Sequence, residues 1–333
     1  MHGDDRIAVV IPFYQRERGI LIKTVRSALE QQGVKGVHIV VVDDESPVSA
    51  VEELSGLQQE AGDRLTIVRQ ANKGAAGARN TGLDSVPPNT DFIALLDSDD
   101  IWTPNHLANA MSAMERGYDF YFSDFYHLGQ SVTAFQRARR INVADHPLIA
   151  GLEHIREYTG NMVNQIITGN ILGTSVIVYD RKNVSDVRFR ESFQHTGEEY
   201  IFLIDLARRS RKIAFSDLPE CRYGAGVNIY SSSWGQEKFL SVIVDEVKYR
   251  KAIMRDYDTT DFQRKLLEDR IRKLRIDFTA GLIHRLKINR GSIDRAVLRR
   301  YVQVDKGYPI MIWPAIVRLI YEKMSPSGKR ARE

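Results

Sequence analysis

Three short apolar runs constrain this chain more than anything else in it: IAVVI at 7–11, IVVV at 39–42 and FIALL at 92–96. They are continuous rather than alternating, and rich in β-branched residues. That is the pattern of strands buried on both faces, as in a parallel sheet covered by helices on each side. The sequence between them supplies the helices. GILIKTVRSALEQQG places Leu21, Val25, Ala28 and Leu29 at helical spacing and stops at Gly33. A second helix is expected around Val51 to Gln59, then a strand at RLTIVR and a glycine-rich turn at NKGAAGARN. Thr103-Pro104 is expected to open a further helix, with a hydroxyl cap and proline in the first turn.

This alternation predicts an α/β fold, a Rossmann-like, doubly wound and mostly parallel sheet. Ligands bind such sheets beyond the carboxyl ends of the strands. Here those ends carry Pro12-Phe13-Tyr14, Asp43-Asp44 and Asp97-Ser98-Asp99-Asp100. Further strands are expected at YDFYFSDFY, GTSVIVYD and KIAFS, and a helix at TGEEYIFLIDLARRSRK with Glu198 and Glu199 at its start. After about residue 226 the pattern changes to charged helices without strands. Two regions follow, an α/β domain over 1–225 and a basic helical region over 226–333.

Charge supports the division. From Val227 onward there are 23 Lys+Arg against 13 Asp+Glu, while the remainder holds 24 against 30. Such a split suggests different partners for the two regions. In the tail, Trp313, Ile316, Val317, Ile320 and Tyr321 share one helical face amid basic residues. That pattern suits a helix lying on an anionic membrane surface, and equally one packed on its own domain. The single Cys221 excludes an internal disulfide framework and suits a reducing compartment. The N-terminus lacks a signal-peptide pattern, and no apolar run approaches the roughly 20 residues of a membrane span. A cytoplasmic protein is expected, or one peripheral on the inner face of the membrane.

No G-x-G-x-x-G follows the first strand, and no G-K-[ST] is present, so neither glycine cradle for phosphate applies. A different device is available in DSDD. Asp97, Asp99 and Asp100 crowd three carboxylates into four positions, where each raises its neighbours' pKa unless something positive sits among them. Mg²⁺ or Mn²⁺ would favour the ionised carboxylates and carry a diphosphate. Such an ion also stabilises negative charge on a departing diphosphate.

The order IPFYQR, VVVDDESP, NKGAAGARNTG, LLDSDD and GEE resembles the GT-A glycosyltransferases of family 2 over roughly residues 5 to 225. Within that family the chain looks most like bacterial exopolysaccharide glucosyltransferases of the succinoglycan type. The resemblance implies a GT-A fold with a C-terminal helical region, and inverting transfer from a UDP-sugar to a glycan or lipid-linked oligosaccharide. Pro12, Phe13, Tyr14 and Arg16 match the segment that flanks the nucleotide base. Asp44 matches the aspartate at the uracil edge, with Asp43 beside it. Lys73, Gly74 and Arg79 match the segment near ribose and diphosphate. Asp97-Ser98-Asp99 is the D-x-D, and Asp99, Asp100 and Asp97 are the metal candidates. The family's base lies in a Glu-Asp pair at a helix start. Here the chain reads Gly197-Glu198-Glu199, so Glu199 is the expected base and Glu198 the fallback. Trp102 and His195 are candidates for acceptor contact, and residues 127 to 160 for a mobile acceptor-side loop. Homo-oligomerisation is left open.

Each cluster alone also has a plain structural account. Asp43-Asp44 before Ser-Pro suits a turn, DSDD a helix cap, and Glu198-Glu199 the negative charge favoured at a helix start. Trp102 suits a core equally well. The joint occurrence at one sheet edge favours the chemical account. Glu199 in place of aspartate leaves one alternative, a sugar-nucleotide-binding protein without transfer. Nucleic acid is not expected as a partner, because the basic tail has mixed charges and no recognition motif.

Overall fold

Continuous β-branched runs become strands because both faces of each are covered. The computed structural model describes residues 7–193, 195–225, 238–288 and 295–309. The elements are β1 (Ile7–Phe13), α1 (Leu21–Leu29), β2 (Val37–Asp44), α2 (Ala50–Ala61), β3 (Leu65–Gln70), α3 (Gly74–Ser85), β4 (Phe92–Leu95), β5 (Ile101–Trp102) and α4 (His106–Met114). Then come β6 (Phe120–Tyr126), α5 (Ala134–Ala138), β7 (Ile155–Glu157), α6 (Met162–Gly169), β8 (Ile177–Asp180), α7 (Glu198–Arg209) and β9 (Ile213–Arg222). Three helices follow, α8 (Lys238–Asp256), α9 (Asp261–Ile288) and α10 (Arg295–Val304).

The strands order β3-β2-β1-β4-β8-β6-β9-β5, with β7 on β9. β1 pairs in parallel with β2 and β4, and β2 with β3. β8 is antiparallel to both β4 and β6, and β9 is parallel to β6. The carboxyl ends of β1, β2, β4, β6 and β9 therefore share one edge. The α/β class is as expected, with parallel pairing concentrated in the first half and β8 running against it in the middle. Val9, Ile11, Val41, Leu54 and Leu96 are fully buried in the core beneath α1 and α2. Each such side chain contributes roughly 1.5–3 kcal/mol.

Two compact units are present. One comprises Met1–Glu191 and Glu199–Asn228, the other Ser192–Glu198 and Ile229–Glu333. In the second unit, α8, α9 and α10 close on Val244, Phe278, Tyr301 and Tyr308. Asp305, just past α10, accepts from Arg275 Nε of α9 at 2.7 Å and from Lys251 Nζ of α8 at 2.8 Å. Among the described residues no helix is long and apolar enough to cross a membrane. The tail helix expected around Trp313 to Tyr321 lies outside the described residues.

Three local expectations are corrected. NKGAAGARN is not a turn, because its glycine begins α3. The glycines serve close packing instead: a Cβ at Gly82 would lie 2.3 Å from Val10 Cγ1 of β1. Thr103 does not cap α4, which starts at His106. Its backbone N–H donates to Glu220 O at 2.8 Å, beyond the end of β5, and Leu107 N in the first turn donates to Gln31 Oε1 at 2.8 Å. The stretch 127–160, expected as a loop, carries α5 with a Thr133/Gln136 capping box and the strand β7.

Candidate active site

The DSDD turn is built from its backbone outward. Leu96 N donates to Val10 O, which extends β4 along β1, and Asp100 N donates to Asp97 O at 3.0 Å, which closes the turn. Asp97 N donates to Ser175 Oγ at 2.9 Å. The Asp97 carboxylate accepts from Arg79 Nη2 at 2.7 Å and from Thr174 Oγ1 at 3.0 Å. Arg79 comes from α3 and is 3% exposed. Its Nη2 is also 3.6 Å from Glu199 Oε1, and its guanidinium lies over the Phe189 ring. A buried arginine is thus the positive charge among the carboxylates.

Compensation is partial. Asp100 is buried, and its Oδ1 accepts from Gly224 N at 3.0 Å. Burial, and then the charges of Asp97 and Asp99, push its carboxyl well above the usual carboxylate range. Asp99 is half-buried. Ser98 is buried; its hydroxyl accepts from Gln15 Nε2 at 3.2 Å and its carbonyl from Thr24 Oγ1 at 2.9 Å. Ser98 therefore ties the turn to the segment after β1 and to α1.

The two aspartates of β2 divide their work. Both oxygens of Asp43 are taken by backbone, Ser46 N at 2.8 Å and Ala50 N at 3.0 Å, at the start of α2. Asp43 thereby anchors the start of α2. Asp44 Oδ1 accepts from Gln70 Nε2 at 2.7 Å and Lys73 N at 2.8 Å, which fixes the approach to α3. Lys73 and Arg16 are exposed, and Pro12, Tyr14 and Gly74 half-buried. Phe13 is fully buried in the main apolar cluster.

Trp102 is likewise packed in the core. It is 4% exposed, its Nε1 donates to Ser175 O at 2.6 Å, and its ring packs 4.6 Å from that of His106. His195 belongs to the second unit, where its N–H donates to Asp245 Oδ2 at 3.0 Å. The unit boundary falls between Glu198, which is 7% exposed, and Glu199, whose side chain is 30% exposed.

Several residues of the site carry no local sequence signal. Thr174 and Ser175 precede β8 and reach Asp97 only because β8 inserts beside β4. Gly224 follows β9, and a Cβ there would meet Asp99 O at 1.7 Å, so only glycine lets the two backbones approach. Tyr223 stacks on Phe125 at 4.4 Å; burial, then Asp100, pushes its phenol well above the ordinary value.

The donor set is hard oxygen throughout. No three ligating side chains converge among the described residues. One or two carboxylates completed by substrate phosphates is how Mg²⁺ is usually held. Asp99, with the under-neutralised Asp100 beside it, fits that description.

Comparison with known proteins addresses the family and the fold. The family model described as Glycosyl transferase family 2 matches residues 8–187. The succinoglycan biosynthesis protein ExoW of Rhizobium meliloti (strain 1021) is 36% identical over 236 residues, 68% of this chain and 71% of that protein. The GalNAc(5)-diNAcBac-PP-undecaprenol beta-1,3-glucosyltransferase of Campylobacter jejuni is 23% identical over 265 residues, 77% of this chain and 79% of that protein. Among solved structures, S. aureus TarS 1–349 in complex with UDP-GlcNAc has a TM-score of 0.54 and 18% identity, covering 91% of each chain, a likeness of fold. With more than half of its length matched by the family model, and a relative above one-third identity across two-thirds of it, the chain belongs to glycosyl transferase family 2.

Proposed function

We propose that the chain is an inverting hexosyltransferase of bacterial exopolysaccharide assembly. It moves a sugar, with glucose the first to test, from a UDP-sugar to a hydroxyl of a glycan or lipid-linked oligosaccharide. One observation carries the reading: Arg79 Nη2 lies 2.7 Å from Asp97 and 3.6 Å from Glu199. A carboxylate able to accept a proton thereby sits beside the carboxylates suited to a diphosphate. The names of the relatives supply the UDP-sugar and the lipid-linked acceptor as chemistry to test.

In this reading Asp44, Pro12, Tyr14 and Arg16 surround the base, and Lys73 and Gly74 the ribose and diphosphate. Asp99, with Asp100 and Asp97 beside it, would hold Mg²⁺ or Mn²⁺. When bound, the ion supplies charge stabilisation to the departing diphosphate. Glu199 removes the proton from the acceptor hydroxyl, which attacks the anomeric carbon on the face opposite the diphosphate and inverts it. Arg79 holds the Glu199 carboxylate in place. The work is placed at the inner face of the cytoplasmic membrane, where lipid-linked acceptors are met.

Glu199→Gln keeps the shape and removes the proton acceptor. Transfer should fall by roughly 10²-fold or more in kcat, with UDP-sugar affinity unchanged by calorimetry. Wild-type turnover in that variant would discard Glu199 as base. EDTA should abolish transfer and Mn²⁺ restore it, while Asp99→Asn should raise the Mn²⁺ concentration needed for restoration. Tight UDP-sugar binding by the wild type without transfer to any glycan or lipid-linked acceptor would favour the binding-protein alternative.

A further inference from the structure

Among the described residues, two that are not glycine hold a left-handed backbone, Arg139 at φ 49° and Glu45 at φ 58°. Arg139 follows α5, and helices commonly end on a left-handed residue. Glu45 follows β2, directly after Asp44, on the sheet edge that carries the carboxylates. A non-glycine residue held there is strained, and such strain persists only where the surroundings over-determine it. Glycine takes the same conformation freely. The glutamate supplies what glycine lacks, a carboxylate.

The backbone at Glu45 turns the chain out of β2. Asp43 then receives Ser46 N at 2.8 Å and Ala50 N at 3.0 Å at the start of α2. Ser46 joins the segment after β1, where its Oγ accepts from Gln15 N at 2.8 Å and donates to Gln15 O at 3.0 Å. Gln15 Nε2 donates in turn to Ser98 Oγ of the DSDD turn at 3.2 Å. None of these bonds uses the side chain of residue 45. A glycine would serve them as well.

The side chain of Glu45 reaches a different loop, the one between β3 and α3. Its Oε2 accepts from Asn72 N at 3.2 Å. Asp44 holds the same loop: its carbonyl accepts from Asn72 Nδ2 at 3.0 Å and its Oδ1 from Lys73 N at 2.8 Å. Asn72 Oδ1 then accepts from Gly74 N at 3.2 Å, where Gly74 opens α3. The successive N–H groups of Asn72, Lys73 and Gly74 are each given an acceptor, and the first rests on Glu45. A loop ordered before its ligand arrives binds more tightly, because the entropy of ordering is no longer charged to binding.

We propose that Glu45 is a positioning residue for the nucleoside diphosphate, its carboxylate ordering the loop that carries Lys73 and Gly74. The left-handed strain follows from placing a carboxylate where the chain has to turn. The assignment rests on the transferase reading for the identity of the ligand. It also makes affinity and stability separable, because the carboxylate serves the loop while the backbone serves the turn.

Three variants are compared with wild type. Glu45→Gly removes both the strain and the acceptor, Glu45→Ala keeps the strain and removes the acceptor, and Glu45→Gln keeps both. By calorimetry with UDP and Mn²⁺, Glu45→Gly and Glu45→Ala should each bind roughly fivefold more weakly, as expected for one lost hydrogen bond. Glu45→Gln should stay within about twofold of wild type. Thermal unfolding should divide the variants differently, with Glu45→Ala melting below Glu45→Gly. In transfer assays the loss should fall on KM for the UDP-sugar rather than on kcat. Without ligand, the Asn72 amide should exchange its hydrogen faster in Glu45→Gly and Glu45→Ala than in wild type and Glu45→Gln.

Wild-type UDP affinity in both Glu45→Gly and Glu45→Ala overturns the assignment. Affinity that falls only in Glu45→Ala, in step with its stability, also overturns it and leaves Glu45 a residue of the turn alone. Equal weakening in Glu45→Gln overturns the role of the acceptor oxygen. A wild-type protein that binds no UDP-sugar sinks the transferase reading instead. The Asn72 exchange rate then still decides whether Glu45 orders the loop, and an unchanged rate overturns that too.

Discussion

Gly224 shows how much of the site hangs on one missing side chain. Its N–H holds Asp100, and its Cα lies so close to Asp99 O that a Cβ would stand 1.7 Å from that oxygen. No rotamer relieves a clash with backbone. Gly224→Ala should therefore displace the DSDD turn and weaken Mn²⁺-dependent UDP binding by tenfold or more, since a displacement of about 1 Å can cost 10²-fold. Calorimetry with UDP and Mn²⁺ checks this, and unchanged affinity would mean that the turn tolerates movement. Phe13, Trp102 and Asp43 are all buried, and the sequence could not tell a ligand-facing placement from this one for a common reason. Aromatic and acidic types at a strand end look alike whether they face ligand or protein. Only the partners, such as Ser175 O for the Trp102 indole, distinguish the two.

At the scale of elements, α3 rests on β1 through Gly82. Gly82→Ala should destabilise the first unit by about 1–3 kcal/mol through overpacking against Val10. In a Val10→Ala background the same change should cost much less, because the methyl it meets is gone. Denaturant unfolding of the double-mutant cycle measures the coupling, and additivity would exclude the contact. In the second unit Asp305 links α8, α9 and α10. Burial alone would raise its carboxyl, but hydrogen bonds and charge from Arg275 and Lys251 hold it below the usual range. A depressed folded pKa contributes stability above the unfolded value of about 3.9, and the contribution is lost as pH falls through the lower folded value. Asp305→Asn should thus destabilise the helices by roughly 3–5 kcal/mol at neutral pH. The gap should narrow as the pH falls below about 4. Thermal melts by circular dichroism at several pH values would show it, and a pH-independent gap would contradict the ion-pair account.

For the whole molecule, the charge division makes the basic tail the segment to test for attachment to an anionic membrane surface. Tyr308 is buried in the core of the second unit, so a truncation that tests the tail must spare it. Removing residues 310 to 333 takes away Arg318, Lys323, Lys329, Arg330 and Arg332. Basic residues near an anionic surface contribute about 1 kcal/mol each. Sedimentation with anionic liposomes should show weaker binding by the truncated chain, and equal binding would discard the tail as anchor. The strands, most of the helices and the family motifs were legible in the sequence, because apolar periodicity, β-branching and short motifs are local properties. What the carboxylates touch was not. Asp97 meets Ser175 across 78 residues, and Asp100 meets Gly224 across 124. Those meetings depend on β8 entering beside β4 and on β9 bringing its carboxyl end to the same edge. Strand order is decided by packing across the whole sheet and leaves no mark on any short stretch. The sequence by itself determined that carboxylates would reach one edge of an α/β sheet. The tertiary structure alone decided that Arg79 would stand between Asp97 and Glu199.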